Sequence, residues 1–255
     1  MKIINDLVGY EKLKIVQDNN YFNFSLESVL LPRFCTLKNN MKIIDICTGN
    51  APIPLILSKY TNSKIIGIEI QKEIYELAIE TIHINKLENK IEILNMDAKD
   101  ITKKFETDSF DLITCNPPYF KYKETSKLND NQIKSIARHE IKITIEDIIK
   151  IGRKLLKNNG SLVLVHRTER LPEIIKTLKE NNLEVKRLRF IYPKENENSN
   201  LILIDAKKNA KPGLKVLPPL ICHDNEGNYT KEIQTMFERW RICCKKVMME
   251  AQVYI

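Results

Sequence analysis

Between residues 42 and 166 the chain alternates short, continuously apolar runs with longer amphipathic ones. The continuous runs are "KIIDIC" (42–47), "KIIGIEI" (64–70), "IEILNMD" (91–97), "FDLITCN" (110–116) and "SLVLVH" (161–166). Unbroken β-branched stretches of this length predict strands covered on both faces, as in a parallel sheet. "QKEIYELAIETIHINK" sets Ile74, Ala78 and Ile82 at helical spacing, and "PIPLILSKY" predicts a shorter helix. "TIEDIIKIGRKLL" predicts a helix with Thr144 as N-cap and Asp147 three residues on. "PEIIKTLKEN" predicts one opened by Pro172. "LEVKRLRFIY" and "NLILIDA" then follow with no helix between them, which predicts an antiparallel hairpin on the edge of the sheet.

Strand and helix repeated in this way predict an α/β fold, a doubly wound, Rossmann-like and mostly parallel sheet. Residues 1–40 form a short N-terminal segment on this reading, residues 41–225 the main domain and residues 226–255 a C-terminal helix. In that last stretch Ile233, Phe237, Trp240, Cys244, Val247 and Ala251 share one helical face. Arg239, Arg241, Lys245 and Lys246 spread over the other, where they could hold phosphates or simply face solvent.

Composition narrows the class. The chain is 43% apolar and 29% charged, ordinary for a folded soluble protein. No apolar run approaches the roughly 20 residues that a membrane-spanning helix needs. The N-terminus has no uninterrupted apolar core or small-residue cleavage site, so a cytoplasmic location is expected. Six cysteines show no C-x-x-C pair and no zinc-ligand spacing with the four histidines; reduced thiols and no metal are expected. A net charge of +8 suits an anionic partner such as nucleic acid. The 32 Lys stand against only 9 Arg among many Asn and Ile, a bias that AT-rich codons alone produce. Charge therefore bears on the partner only where it gathers around a site.

Ligands of doubly wound sheets bind beyond the carboxyl ends of the strands. The first strand ends in "DICTGNAP", where Asp45 precedes a turn with a single glycine, Gly49, flanked by Thr48 and Asn50. A glycine there lets backbone approach a ligand closely, but one glycine is not a dinucleotide fingerprint. The second strand ends at Glu69 and Ile70, about 20 residues beyond the turn, where a carboxylate can accept from both ribose hydroxyls. Asp97 and Ala98 end the third, where Asp97 could accept from an adenine amino group or initiate a turn. In order, these positions sketch a pocket for a nucleoside.

The fourth strand ends in "NPPY". Pro117 and Pro118 lack N–H groups and fix φ, so they hold a rigid turn. The side-chain oxygen of Asn116 and the carbonyl of Pro117 are then two acceptors that match the two hydrogens of a planar amino group, and Tyr119 offers a ring for stacking. Gripping both hydrogens favours a pyramidal nitrogen whose lone pair can meet a methyl sulfonium, so catalysis would be mainly positioning and electrostatics.

These residues together resemble the class I S-adenosylmethionine-dependent methyltransferases, and "NPPY" resembles the signature of those that methylate amino groups. The resemblance implies a methionine-side loop at "DICTGNAP", Glu69 as ribose ligand, Asp97 at the adenine edge and Asn116 to Tyr119 as the catalytic turn. Cys47 and Ala51 stand where such families often have further glycines. "LKIVQDNNYFNFSLESVLL", "GIEIQ", "NPPYF", "ARHEI", "HRTERLPEI" and "KPGLKVLPPLICHDNEGNYTKEI" resemble the bacterial tRNA1(Val) adenine-N6-methyltransferases more narrowly. That family modifies adenine 37, next to the anticodon; by the same resemblance Phe24 and Ser25 would cover the methionine end of the cofactor. Glu27 stands where the family usually has Asp. The alternatives are another amino group, on an rRNA or DNA base or on protein glutamine, and a non-catalytic nucleic-acid-binding module.

Basic residues interleaved with aromatics follow the turn: Tyr119, Phe120, Lys121 and Lys123, with Arg138 and His139 further on. They fit the grip on an extruded base and its flanking phosphates, or a solvated Lys-rich loop.

Overall fold

The computed structural model describes residues 1–21, 25–119, 140 and 142–237. An N-terminal hairpin comes first, β1 (Lys2–Leu7) and β2 (Tyr10–Asp18), then α1 (Leu26–Phe34). The alternation follows: β3 (Ile43–Ile46), α2 (Pro52–Leu57), β4 (Ile65–Glu69), α3 (Lys72–Ile84), β5 (Ile91–Asn95), α4 (Ile101–Lys104) and β6 (Phe110–Cys115). After α5 (Ile145–Leu155), β7 (Leu156–Arg167) and α6 (Leu171–Glu180) come β8 (Leu183–Tyr192), β9 (Leu201–Lys208), the two-residue strands β10 (Lys215–Val216) and β11 (Leu220–Ile221), and α7 (Lys231–Met236).

The main sheet runs β5-β4-β3-β6-β7-β9-β8. The first five strands are mutually parallel, and β9 lies antiparallel between β7 and β8. The predicted fold class is therefore the observed one. The expected edge hairpin differs in one respect: β10 and β11 pair with β8 in parallel and cover its outer side. Every residue of β3 is buried, as are all but one of β6, because helices lie on both faces of the sheet. One core gathers Ile43, Leu112 and Val163 with α1, α2 and the hairpin; the other gathers Ile44, Ile113 and Leu164 with α5 and α6. Each such fully buried Ile or Leu contributes about 1.5–3 kcal/mol relative to exposure.

Local signals set several boundaries. Thr144 caps α5 in a reciprocal capping box with Asp147, as its sequence predicts. Helix α6 starts at Leu171, with Pro172 in its first turn where no N–H is needed. The hairpin β1–β2 has no counterpart among the predicted elements: it packs along α3, where the Val16 amide donates to Thr81 Oγ1 at 3.0 Å. Of the C-terminal helix expected over 226–255, the described residues form α7, Lys231–Met236, after which Phe237 is extended, φ −86° and ψ 147°; residues 238–255 lie outside the described residues. The Phe237 ring lies where a Cβ on Gly9 would come within 2.4 Å, and Gly9, at φ +80°, turns the hairpin beneath it. Ile233 and Phe237 are thus buried as the apolar stripe predicts. Trp240, Cys244, Val247 and Ala251 lie outside the described residues. Among the described residues no helix is long and apolar enough to cross a membrane.

Candidate active site

The carboxyl ends of β3, β4, β5 and β6 bring the candidate residues to one side of the sheet. Asp45 sits within β3, fully buried, and both its oxygens are engaged: Thr48 Oγ1 donates at 2.7 Å and Thr114 Oγ1 at 2.6 Å. It shapes the following loop from beneath. Burial pushes its carboxyl up to about 7, against the pull of those two hydroxyls. Asn50 is also buried, and its amide donates to the Val16 carbonyl at 2.8 Å, so it ties the N-terminal hairpin to the loop.

The loop itself is held in an uncommon conformation. Cys47, Gly49 and Ala51 have φ of 59°, 58° and 69°, all left-handed. Two of the three, Cys47 and Ala51, hold this conformation with a Cβ. A Cβ built on Gly49 would meet nothing within 4 Å, so the backbone there borders open space. The Gly49 amide donates to Glu69 Oε2 at 3.0 Å and the Gln71 amide to Glu69 Oε1 at 2.9 Å. Glu69 is buried at the end of β4; desolvation raises its pKa while those amides oppose the rise. Ile70, beside it, gives its carbonyl to Asn95 Nδ2 at 3.1 Å. Asp97 accepts from the Lys99 amide at 2.9 Å and opens a short 3₁₀ turn, Ala98–Asp100, with Ala98 buried.

At the end of β6, Asn116 donates to Ser28 Oγ of α1 at 3.3 Å and accepts the Tyr119 hydroxyl on Oδ1 at 2.6 Å. Tyr119 was expected only as a stacking ring; its hydroxyl also covers the acceptor on Asn116. Burial raises the phenol well above its usual pKa, so it remains a donor. Its ring lies 5.4 Å from that of His166, which is fully buried at the end of β7 and pushed down to about 3 by desolvation. The Arg170 guanidinium donates to the Tyr119 carbonyl at 3.2 Å and is itself held by Glu140 and Glu173. Pro117 and Pro118 are buried between these anchors.

Ser28, His166 and Arg170 were not among the expected site residues. "HRTERLPEI" was visible as a stretch, but neither periodicity nor charge marks Arg170 as the partner of a carbonyl some fifty positions away. Ser25 caps the start of α1 through its backbone, and its side chain makes no capping bond. Phe24, Phe120, Lys121, Lys123, Arg138, His139, Arg239, Arg241, Lys245 and Lys246 lie outside the described residues.

Comparison with known proteins settles the family. The model of a methyltransferase domain matches residues 37–239. The chain belongs to this methyltransferase family. A protein of Parabacteroides distasonis named tRNA1(Val) (adenine(37)-N6)-methyltransferase is 26% identical over 82% of this chain and 87% of its own. A Flavobacterium psychrophilum protein of the same name is 24% identical over 89% and 95%. Among solved structures, a predicted O-methyltransferase from Agrobacterium tumefaciens superposes with a TM-score of 0.64 at 18% identity, covering 84% of this chain and 97% of that one. The geranyl diphosphate C-methyltransferase of Streptomyces coelicolor, solved with S-adenosyl-L-homocysteine, gives 0.55 at 9% identity over 71% and 76%. These likenesses are of fold.

The site of this methyltransferase fits S-adenosylmethionine. Glu69 retains lone pairs for ribose hydroxyls, and Gly49 faces open space. The first turn of α2 contains Pro52 and Pro54, which have no N–H, so it is a poor cradle for a pyrophosphate. A cofactor without phosphate suits that turn better than a dinucleotide.

Proposed function

We propose that this methyltransferase transfers the methyl group of S-adenosylmethionine to the N6 amino group of adenine 37, next to the anticodon, of tRNA1(Val). The observation that carries the reading is the Asn116–Pro117–Pro118–Tyr119 turn, anchored at the end of a central strand beside the Glu69 and Gly49 pocket. The shared name of relatives that align along most of the chain supports the choice of tRNA.

S-adenosylmethionine, when bound, supplies a methyl group on a positively charged sulfur. Glu69 would accept from its ribose, Asp97 from its adenine edge, and the loop at Gly49 would pass its methionine end. The role of the turn is to prepare the amine. Asn116 Oδ1 and the Pro117 carbonyl accept its two hydrogens, which withdraws the nitrogen lone pair from the ring and directs it outward. Asn116 is a neutral acceptor, so it takes no proton from the amine before transfer. The incoming amine replaces the Tyr119 hydroxyl on Oδ1, one hydrogen bond for another, at little net cost. The target adenine must leave its stack to reach this depth, and the released Tyr119 ring becomes the wall against which it lies.

The test incubates the full-length protein with labelled S-adenosylmethionine and unmodified tRNAs, then identifies the methylated nucleoside and its position. N6-methyladenosine next to the anticodon is the expected product. Label on guanine, or on protein glutamine in a parallel reaction, overturns the reading.

A further inference from the structure

The two acceptors of the catalytic turn are not equally fixed. The Pro117 carbonyl belongs to buried backbone that two proline rings hold. The Asn116 oxygen sits on a side chain, and the terminal torsion of asparagine has no sharp staggered minimum, so hydrogen bonds must set where the amide points. Two such bonds are present: the Tyr119 hydroxyl donates to Oδ1 at 2.6 Å, and Nδ2 donates to Ser28 Oγ at 3.3 Å. The first is the bond that an entering amine replaces. The second is then the side-chain bond of Asn116 that remains among the described residues.

Ser28 is itself firmly placed. It is the third residue of α1, is 5% exposed, and precedes Val29, Leu30 and Leu31, which are buried in the core shared with α2 and β7. Its amide donates to the Ser25 carbonyl at 3.1 Å in the first turn of the helix. Alanine would suit a buried helical position better, because it has no hydroxyl to satisfy and no rotamers to lose. Among the described residues the Ser28 hydroxyl has one partner, and that partner is Asn116. The buried phenol of Tyr119 stays protonated and presents a donor, so it draws the oxygen end of the amide. The nitrogen end is left toward Ser28, whose oxygen accepts it.

We propose that Ser28 is a positioning residue: it holds the Asn116 amide through Nδ2, so that Oδ1 keeps facing the amine after the Tyr119 hydroxyl has been displaced. The inference rests on the proposed function, whose reacting amine Asn116 grips, and it adds the residue that keeps this acceptor in place. Ser28 acts through Asn116 alone. Its contribution therefore falls in the chemical step: an amide free to swing away from the amine lowers kcat and leaves the pocket at Glu69 and Gly49 as it is.

Single-turnover methyl transfer to unmodified tRNA, at saturating S-adenosylmethionine, tests this in a double-mutant cycle. Ser28→Ala is expected to slow transfer about three- to tenfold, the scale of one neutral hydrogen bond, with the dissociation constants of S-adenosylmethionine and tRNA unchanged. Ser28→Cys keeps the size of the side chain but offers a poor acceptor, so it should be slowed nearly as much. It also carries the cycle should Ser28→Ala fail to fold. In an Asn116→Ala background the same substitutions should change the rate by less than about twofold, since no amide remains for the serine to hold. A general loss of packing would instead lower the rate alike in both backgrounds. Wild-type transfer by either Ser28 variant, or an equal loss in both backgrounds, overturns the proposal. Methyl transfer by the wild-type protein to a different amine overturns the proposed function, and the same cycle on that acceptor then decides Ser28. Transfer by the wild-type protein to no amine overturns both.

Discussion

The two halves of the candidate site are built differently. At the ends of β3, β4 and β5 the polar groups satisfy one another over short stretches: Asp45 with Thr48, Gly49 with Glu69, Asp97 with Lys99. At the ends of β6 and β7 the turn is anchored by residues from distant parts of the chain. Ser28, His166 and Arg170 reach it from α1, β7 and the 3₁₀ turn Thr168–Arg170 that follows. The first half is mostly local, with Asp45 also accepting from Thr114 and Asn50 donating to Val16, and forms a mould for a small cofactor of fixed shape. The second depends on the whole fold being assembled, and it keeps exchangeable hydrogen bonds for a polymer that must enter and leave.

Substitutions should therefore separate the halves. Asn116→Ala removes an acceptor used by the reacting amine, and single-turnover transfer should fall by about 10²–10³ while calorimetry gives unaltered cofactor binding. An active Asn116→Ala protein sinks the proposed role of the turn. Arg170→Ala removes the donor to the Tyr119 carbonyl and leaves Glu140, only 6% exposed, without its cation. Breaking such a buried pair costs about 3 kcal/mol or more. Denaturant unfolding should show that loss, and transfer should fall in kcat rather than in cofactor affinity. Arg170→Lys restores the charge without the fork, so it should recover more stability than activity. Equal recovery of both would make Arg170 a structural residue with no hold on the turn.

The buried titrating groups of the two halves act in opposite directions, Asp45 and Glu69 in the first and His166 in the second. Asp45 is raised from 3.8 to about 7, so between those values the folded state holds a proton that the unfolded state has released. Its contribution to stability declines as pH rises through that window. Glu69 is raised in the same direction. His166 is lowered from 6.5 to about 3, so in that window the unfolded state binds the extra proton, and stability is lost as pH falls. From roughly pH 4 to 6.5 the Asp45 and His166 slopes oppose each other. Asp45→Asn should expose the histidine slope, with stability falling on acidification more steeply than in wild type; His166→Gln should expose the opposite one. Thermal midpoints from pH 4 to 8 measure both, and parallel profiles for the three proteins defeat the assignment.

This contrast also explains what could be read from the residues alone. Asp45, Gly49, Glu69 and Asp97 follow one another at successive strand ends, so strand periodicity and spacing point to them, and the order of the parallel strands follows from the same pattern. Asn116 to Tyr119 stand out because two prolines interrupt a strand. Ser28 and Arg170 have no such local sign: their roles arise from tertiary proximity across the sheet. The C-terminal stripe shows the converse failure. Ile233 and Phe237 obey helical spacing and are buried, yet Phe237 leaves the helix to meet Gly9, a contact more than two hundred residues away in sequence. Periodicity gives the face a residue presents, whereas the point at which a helix yields to a long-range contact depends on the partner.

The smallest expected effect concerns the left-handed residues of the cofactor half. Ala51, at φ +69°, and Cys47, at φ +59°, bear a strain of about 1–2 kcal/mol each that glycine would relieve. Glycine at position 51 would also lose a fully buried methyl, worth about 0.8 kcal/mol, and would add about 0.5–1 kcal/mol of backbone entropy to the unfolded chain. These contributions nearly cancel, so Ala51→Gly should shift unfolding stability by less than about 0.5 kcal/mol. Urea unfolding measures it, and a change beyond about 1 kcal/mol in either direction would mean that the loop is far more strained, or the methyl far better packed, than its local geometry implies.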